Sequence, residues 1–336
     1  MKRALVSVLA LTTVVGASTQ ALAWGSTGHR WIGRAAIQTL PAELPAFLRT
    51  PAAIVAVGEL AREPDRSRNA GKEHDADRDP GHFVDGGDDG KIGGVVALNA
   101  LPATREDYDT ALRAAGVTSW KMGYLPYSII ETWQQLVKDF AYWRADDAGA
   151  RLSKNAAHRA WLKTDKALRE QLILDDLAPL SHFVGDGSMP LHTSIHYNGW
   201  GPFPNPNGYT QDRVHVPWEG VYVRGNVSYQ AVLARMTPPS DCNCPIEQRV
   251  GAYLLADMAT VVPFYELQKA GAFNGADPKG ADFTAGRVAA GASELRDEIV
   301  LAWRASEKST VGYPETPVTD IESGKIDPYD ALYGLD

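Results

Sequence analysis

The sequence predicts an all-α fold, in the form of a single domain of stacked helices joined by long loops. Apolar residues recur at helical spacing in several long segments, and the short alternating runs typical of strands are scarce. The chain has 336 residues and is 44% hydrophobic, which suffices for one large core. We therefore expect one helical domain over residues 24–310, followed by a proline-containing, loosely ordered tail over residues 311–336.

The first 23 residues have the pattern of a secretory signal peptide. Lys2 and Arg3 form a basic start, a mostly apolar run follows, and Ala21-Leu22-Ala23 is a small-residue cleavage site. The apolar run is too short to span a bilayer comfortably, and no second long apolar run follows it. The sequence thus predicts cleavage between Ala23 and Trp24 and a secreted or periplasmic protein without a transmembrane anchor.

Five segments carry the helical pattern in the proposed domain. In chain order they are "HRWIGRAAIQTL", "LPYSIIETWQQLVKDFAYWR", "AWLKTDKALREQLILDDLAPLSHFVGD", "PIEQRVGAYLLADMATVVPFYELQKAG" and "FTAGRVAAGASELRDEIVLAWRASE". In the first, apolar residues from Trp31 to Leu40 share one side, and Pro41 ends the helix. The stretches "EHDADRDPGHFVDGGDDG" and "GWGPFPNPNGYTQDR" are rich in Gly, Pro, Asn or Asp, which predicts loops.

The charge and the cysteines restrict the function classes. The formal net charge is −8, and loss of Lys2 and Arg3 with the leader would make it −10. This argues against a broad basic footprint for duplex DNA, although bound cations can invert the local potential for a polyanionic substrate. The two cysteines, Cys242 and Cys244, are expected to form a local disulfide or to remain two free thiols. A metal site at this pair would lack the usual second pair of ligands.

The strongest chemical signal is a pair of motifs that combine an imidazole with a carboxylate. In "SHFVGDGSMPLH", His182 and Asp186 are four residues apart, which places them on one helical face, and His192 follows after a turn. In "VHVPWEG", His215 and Glu219 repeat the same spacing. One such pair is more often a hydrogen bond than a metal site, but two pairs together favour metal binding.

Further histidines and carboxylates extend this set. His82 lies in "GHFVDGG", Asp65 in "EPDRSR", and His29 five residues after Trp24. Imidazole nitrogens and carboxylate oxygens are the ligands that Zn²⁺ takes when Cys is absent. The other histidines are expected to be structural or on the surface; they are His74, His158 and His196.

Together, "WGSTGHRWIG", "HFVGDGSMPLH" and "HVPWE" resemble a superfamily that joins the zinc-dependent bacterial phospholipases C to the single-strand-specific, three-zinc nucleases. The resemblance runs from Trp24 to about Glu219, with a helical continuation to about Glu307. It implies three zinc ions per chain. The implied ligands are Asp65, His82, His182 and Asp186 for the first zinc; His192, His215 and Glu219 for the second; and Trp24, through its free α-amine and carbonyl, with His29 and a bridging Asp186 for the third.

The resemblance also implies an activity, the hydrolysis of a phosphate ester by a zinc-activated water that attacks phosphorus as hydroxide. It implies that Asp65 orients or deprotonates this water and that Arg68 lies near the phosphate, unless Arg68 is an ordinary surface residue. Asn198 could bind a base edge, and Tyr197 or Trp200 could stack on a base. The alternative for these aromatic residues is packing within the loop.

The motifs do not decide the substrate. The short Trp-to-His spacing favours the nuclease branch, whereas Glu219 is the phospholipase choice and the nuclease Gly-Gly-Asn motif is missing after His192. We expect a single-strand nuclease or 3′-nucleotidase acting on single-stranded nucleic acid or nucleotides, with no stable protein partner. A phospholipase C acting on phospholipid is the alternative. A second alternative is a non-catalytic, zinc-stabilised secreted binding protein, which the absence of Cys ligands disfavours.

Overall fold

The computed structural model describes residues 24–67 and 71–334. Helices dominate these residues and confirm the predicted all-α class. The helices are α1 (Gly25–Gln38), α2 (Pro51–Leu60), α3 (Glu63–Arg66), α4 (Lys72–Arg78), α5 (Arg105–Ala114), α6 (Ser119–Met122), α7 (Leu125–Leu152), α8 (Ala156–Asp186), α9 (Val223–Asn226), α10 (Tyr229–Leu233), α11 (Ile246–Met258), α12 (Val261–Lys269), α13 (Pro278–Ser306), α14 (Val318–Glu322) and α15 (Tyr329–Tyr333). The predicted leader and Arg68 lie outside the described residues.

Strand is confined to two short antiparallel hairpins in the described part of the chain. The first joins β1 (Lys91–Ile92) to β2 (Val96–Ala97), and the second joins β3 (Thr310–Val311) to β4 (Thr316–Pro317). Ile92 and Val96 of the first hairpin are buried in the large hydrophobic core with the helices, and Val311 of the second is buried in a smaller cluster.

The long helices α7 and α8 pack against each other, and only three residues connect them, which makes them an antiparallel pair. Asn155 begins α8 by accepting a hydrogen bond from the backbone N–H of Ala157 at 2.9 Å. Helix α1 packs on α2, α8 and α13. Its approach is close, since a Cβ atom at Gly33 would lie 3.0 Å from Ser181 Oγ and 3.1 Å from the Val57 carbonyl. This packing carries α1 to the C-terminal half of α8.

The segment predicted as one helix near residues 245–271 is two helices, α11 and α12, separated by a turn. Among the described residues, the stretch Ile246–Lys269 is long and apolar enough to cross a membrane by length and composition alone. Val250 and Leu254 of α11 and Phe264 of α12 are, however, fully buried in the protein core. The apolar character of the stretch is thus accounted for in part by core packing.

The C-terminal segment differs from the loosely ordered tail predicted from its prolines. It forms β3, β4, α14 and α15, and its side chains Val311, Val318 and Ile321 are buried. They pack in a second hydrophobic cluster against Ala141 and Ala145 of α7, where small side chains leave room for a docked segment. Sequence periodicity missed this packing because the buried residues are widely and irregularly spaced.

Two other local predictions are resolved by the structure. The acidic stretch predicted as a loop contains helix α4, Lys72–Arg78, before the chain turns into His82. Cys242 and Cys244 form a disulfide, so the local bridge is the correct alternative. The loop beside this bridge is attached to α13, because Ser240 donates from its backbone and its hydroxyl to Asp297 at 3.1 and 3.0 Å.

Candidate metal centre

The C-terminal half of α8 supplies the centre of the candidate site. His182 and Asp186 lie one turn apart on the same face, and both are fully buried. The Nδ1 atom of His182 is 2.8 Å from the carbonyl of Ala61. Since a carbonyl only accepts, Nδ1 carries the proton and Nε2 turns its lone pair towards the cluster. This Nε2 atom lies 2.9 Å from His82 Nδ1 and 3.8 Å from Asp65 Oδ1.

His82 and Asp65 reach this point from two different short elements. His82 ends a 3₁₀ turn, Asp79–His82, and is buried, while the Asp65 side chain on α3 is 12% exposed. Asp65, His82 and His182 thus form one group whose ligand atoms can hold a metal ion. Asp65 is the most exposed of the three side chains.

Asp186 connects this group to a second one. Its Oδ2 atom is 3.1 Å from His82 Nδ1 and 3.4 Å from His182 Nε2, whereas its Oδ1 atom is 3.5 Å from His29 Nε2. The His29 and His182 rings are stacked with centroids 4.0 Å apart. His29, His182 and Asp186 can therefore hold an ion of their own; His182 belongs to both groups, and Asp186 also contacts His82 of the first.

The third group contains His192, His215 and Glu219. His192 closes a 3₁₀ turn after α8, and Glu219 lies in a π-helix, Pro217–Tyr222, a rare element that often occurs at functional sites. The two Nε2 atoms of the histidines are 3.0 Å apart, and Glu219 Oε2 is 3.2 Å from His215 Nε2. All three side chains are buried.

The hydrogen bonds of this third group test whether its residues fit a metal ion. His192 Nδ1 lies 2.6 Å from the carbonyl of His82, and His215 Nδ1 lies 2.8 Å from that of Tyr197. Both Nδ1 atoms must donate, so in the neutral rings both Nε2 atoms present lone pairs to each other and repel at 3.0 Å. A cation between them removes this repulsion. Tetrahedral zinc would place two ligand nitrogens roughly 3.3 Å apart, close to the observed spacing.

Trp24 lies beside these groups. It is fully buried, its indole N–H donates to Ser188 at 2.8 Å, and its carbonyl accepts from the Gly28 N–H at 3.0 Å. A Cβ atom at Gly25 would lie 3.3 Å from the Glu219 carbonyl, so the start of α1 touches the segment that carries the third group. Metal binding through the α-amine of Trp24 remains a prediction from the sequence.

Of the three loop residues predicted to contact substrate, Asn198 and Tyr197 hold His215 and Trp200 packs inside the loop, while stacking of the exposed Tyr197 ring on a base stays a prediction. Asn198 Oδ1 accepts a hydrogen bond from the backbone N–H of His215 at 3.2 Å, and the backbone carbonyl of Tyr197 accepts one from the His215 ring. The Tyr197 residue itself is 53% exposed. Trp200 is buried and stacks on His196 with centroids 3.7 Å apart. The prediction that Trp200 stacks on a base does not fit this structure, because packing in the loop already covers its ring.

A buried carboxyl supports the segment after His192. Thr193 donates to Asp257 at 2.9 Å, and Arg287 donates to the same carboxyl at 3.0 Å. Burial raises the pKa of Asp257 to about 7, against the opposing effect of Arg287. Asp257 thereby ties the turn at His192 to α11 and α13. Sequence reasoning missed this residue, since its partners lie far away along the chain.

Sequence reasoning also missed a cleft next to the first group. It has a volume of about 370 Å³ and reaches His82. Arg78, Arg105 and Tyr124 line it, together with Phe183, which follows His182. These residues come from four separate elements, so no local motif marks the cleft.

Comparisons of the chain with protein families, with curated proteins and with solved structures returned no match. The geometry by itself establishes that three groups of His, Asp and Glu side chains in the described chain can hold metal ions. All the metal ligands predicted among the His, Asp and Glu side chains belong to these groups.

Proposed function

We propose that this protein is a zinc-dependent phosphodiesterase that acts on single-stranded nucleic acid or 3′-nucleotides. The observation that carries the proposal is the set of three buried ligand groups, two of which share His182, with His82 of one group lining a cleft. Structural zinc sites are usually closed and rich in Cys, whereas carboxylate and imidazole ligands with open positions are typical of catalytic sites. This donor set favours catalysis over a purely stabilising role.

Zinc ions bound to these groups would lower the pKa of a water molecule and neutralise charge on a phosphate. The protein's own residues would position that chemistry. Asp65, the most exposed ligand of its group, can accept a proton from the attacking water. The contacts of His182, His192 and His215 with backbone carbonyls fix their tautomers and ring orientations, as outer contacts of metal ligands commonly do.

The substrate panel that tests the proposal consists of single-stranded DNA, RNA, a 3′-nucleotide and phosphatidylcholine, and the metal content is measured in parallel. We expect three zinc ions per chain, cleavage of the nucleic acids, loss of activity with a chelator and recovery with zinc. If phosphatidylcholine is the only one of the four that is hydrolysed, the protein is a phospholipase C, the alternative that Glu219 favours. A fully metal-loaded protein that hydrolyses none of the four would refute the enzymatic proposal and favour a zinc-stabilised binding protein.

A further inference from the structure

We infer that the cleft beside His82 binds a second phosphate, one nucleotide away from the phosphate that is hydrolysed. Arg78 and Arg105 line this cleft in a chain whose formal net charge is −8. The inference rests on the proposed function and selects its substrate class: a chain with consecutive phosphodiesters rather than a lipid with a single one.

The cleft is continuous with the metal centre. A Cβ atom at Gly81 would lie 2.9 Å from Tyr124 Cε2 and 3.0 Å from Ser128 Oγ, so the start of α7 packs directly on the residue before His82. The Tyr124 N–H also donates to the Pro80 carbonyl at 2.8 Å. A ligand in the cleft therefore touches the same turn that carries His82, and it lies within reach of a group bound at the first metal site.

Arg105 is arranged to receive an anion. Its guanidinium lies over the Tyr124 ring, 3.9 Å from the centroid, and a side-chain hydrogen bond with Tyr124 helps to orient the planar group. A guanidinium has five N–H donors, so donors remain that can bind an anion. The nearest carboxylate is Glu131, whose Oε2 is 3.6 Å from Nη1, too far for a good hydrogen bond. Because both side chains are more than one third exposed, this ion pair is weak and a phosphate can compete for the guanidinium.

Arg78 contributes a second positive charge at the end of α4. Within the described parts of the chain, its side chain has neither a hydrogen bond nor an ion pair with another residue. The backbone of α4 is held in place, since Tyr124 donates from its hydroxyl to the Asp77 carbonyl at 3.0 Å and Trp120 donates to the Ala76 carbonyl at 2.7 Å. Glu131 also lines the cleft, so the two arginines outweigh one carboxylate and leave a local positive wall beside the candidate metal centre, which attracts a polyanion.

The number of phosphates in a substrate decides whether it can bind this positive wall and the metal centre at the same time. In a phospholipid or a simple diester, the only phosphate is the one at the metal centre. In an oligonucleotide the neighbouring phosphate extends beyond the centre, where a guanidinium can bind it with two parallel hydrogen bonds. The cleft would thus increase affinity for oligonucleotides without changing the reaction itself.

The test compares a single-stranded oligonucleotide with bis(p-nitrophenyl) phosphate, which has one phosphate, using the zinc-loaded protein. Arg105→Gln is expected to raise KM for the oligonucleotide roughly tenfold, with kcat and the activity on the small diester unchanged. Equilibrium binding of a hydrolysis-resistant phosphorothioate oligonucleotide should weaken by the same factor as KM rises. The slope of log K against log salt concentration for this binding should become shallower by about 0.7. Arg105→Lys should keep the salt dependence and recover part of the affinity.

Arg113→Gln is the matched control, because Arg113 lies on the same helix, α5, with a 56% exposed side chain and is not part of the cleft lining. It should behave as the unchanged protein. Equal loss on both substrates, or no change in oligonucleotide binding, would overturn the inference while leaving the phosphodiesterase proposal intact. If the unchanged protein hydrolyses only phosphatidylcholine or no substrate, the proposed function fails, and binding of the phosphorothioate still reports on the cleft.

Discussion

A methyl group at Gly185 would test how closely α1 and α8 must approach to build the candidate metal centre. Gly185 lies between His182 and Asp186, and a Cβ atom there would lie 2.9 Å from His29 Nδ1 and 3.2 Å from Ile32 Cδ1. Ordinary contacts begin near 3.4 Å, so in Gly185→Ala the His29 ring must move by about 0.5 Å. Such overpacking costs about 1–3 kcal/mol, partly offset by the roughly 1 kcal/mol that alanine gains over glycine in a helix.

The larger effect is expected on metal binding. Metal–ligand distances tolerate deviations of only about 0.2 Å. A shift of His29 should therefore lower the affinity of His29 and Asp186 for a metal ion. We expect Gly185→Ala to retain about one metal ion fewer per chain after dialysis against a weak chelator, with a free energy of unfolding lower by up to about 2 kcal/mol. Elemental analysis and chemical denaturation measure the two quantities.

Gly286→Ala provides the control, because a Cβ atom at this position in α13 would meet nothing within 4 Å. This variant should keep its full metal content and gain up to about 1 kcal/mol of stability. If Gly185→Ala keeps wild-type metal content and stability, His29 is not held in place by this close approach, and the reasoning is wrong.

Three further predictions concern stability, catalysis and the N-terminus. Burial, and after it the nearby Asp165, raise the pKa of Asp146 to about 8. Because this folded-state pKa exceeds the unfolded one, the free energy of unfolding should fall between about pH 4 and pH 8 by up to about 1.4 kcal/mol per unit. Asp146→Asn should remove the part of this dependence that Asp146 contributes beside Asp257 in urea titrations, and an unchanged slope would show that the native Asp146 carboxyl is already ionised. His182→Ala should abolish hydrolysis, whereas His158→Ala should lose only some stability through its contact with Asp327 at 3.1 Å; equal activities would exclude His182 from the centre. A chain that starts at Trp24 should bind one more metal ion than a chain with one residue before it, since an amide nitrogen has no lone pair to offer; equal metal content would remove Trp24 from the ligand set.

The sequence alone determined those features that depend on neighbours along the chain. The helices α7, α8 and α13 follow from apolar periodicity, which is a local property of the helix. The pairs His182–Asp186 and His215–Glu219 follow from the four-residue spacing, and the structure places each pair within ligand distance.

The tertiary structure alone decided how these local pieces meet. His29 reaches Asp186 only because α1 and α8 approach closely at glycines, and His192 faces His215 because backbone carbonyls distant along the chain hold both rings. The same holds for the burial of Trp200, the docking of the C-terminal segment and the placement of Arg105 in one cleft with His82. Each depends on the packing of elements that are far apart in sequence, so no local pattern encodes it.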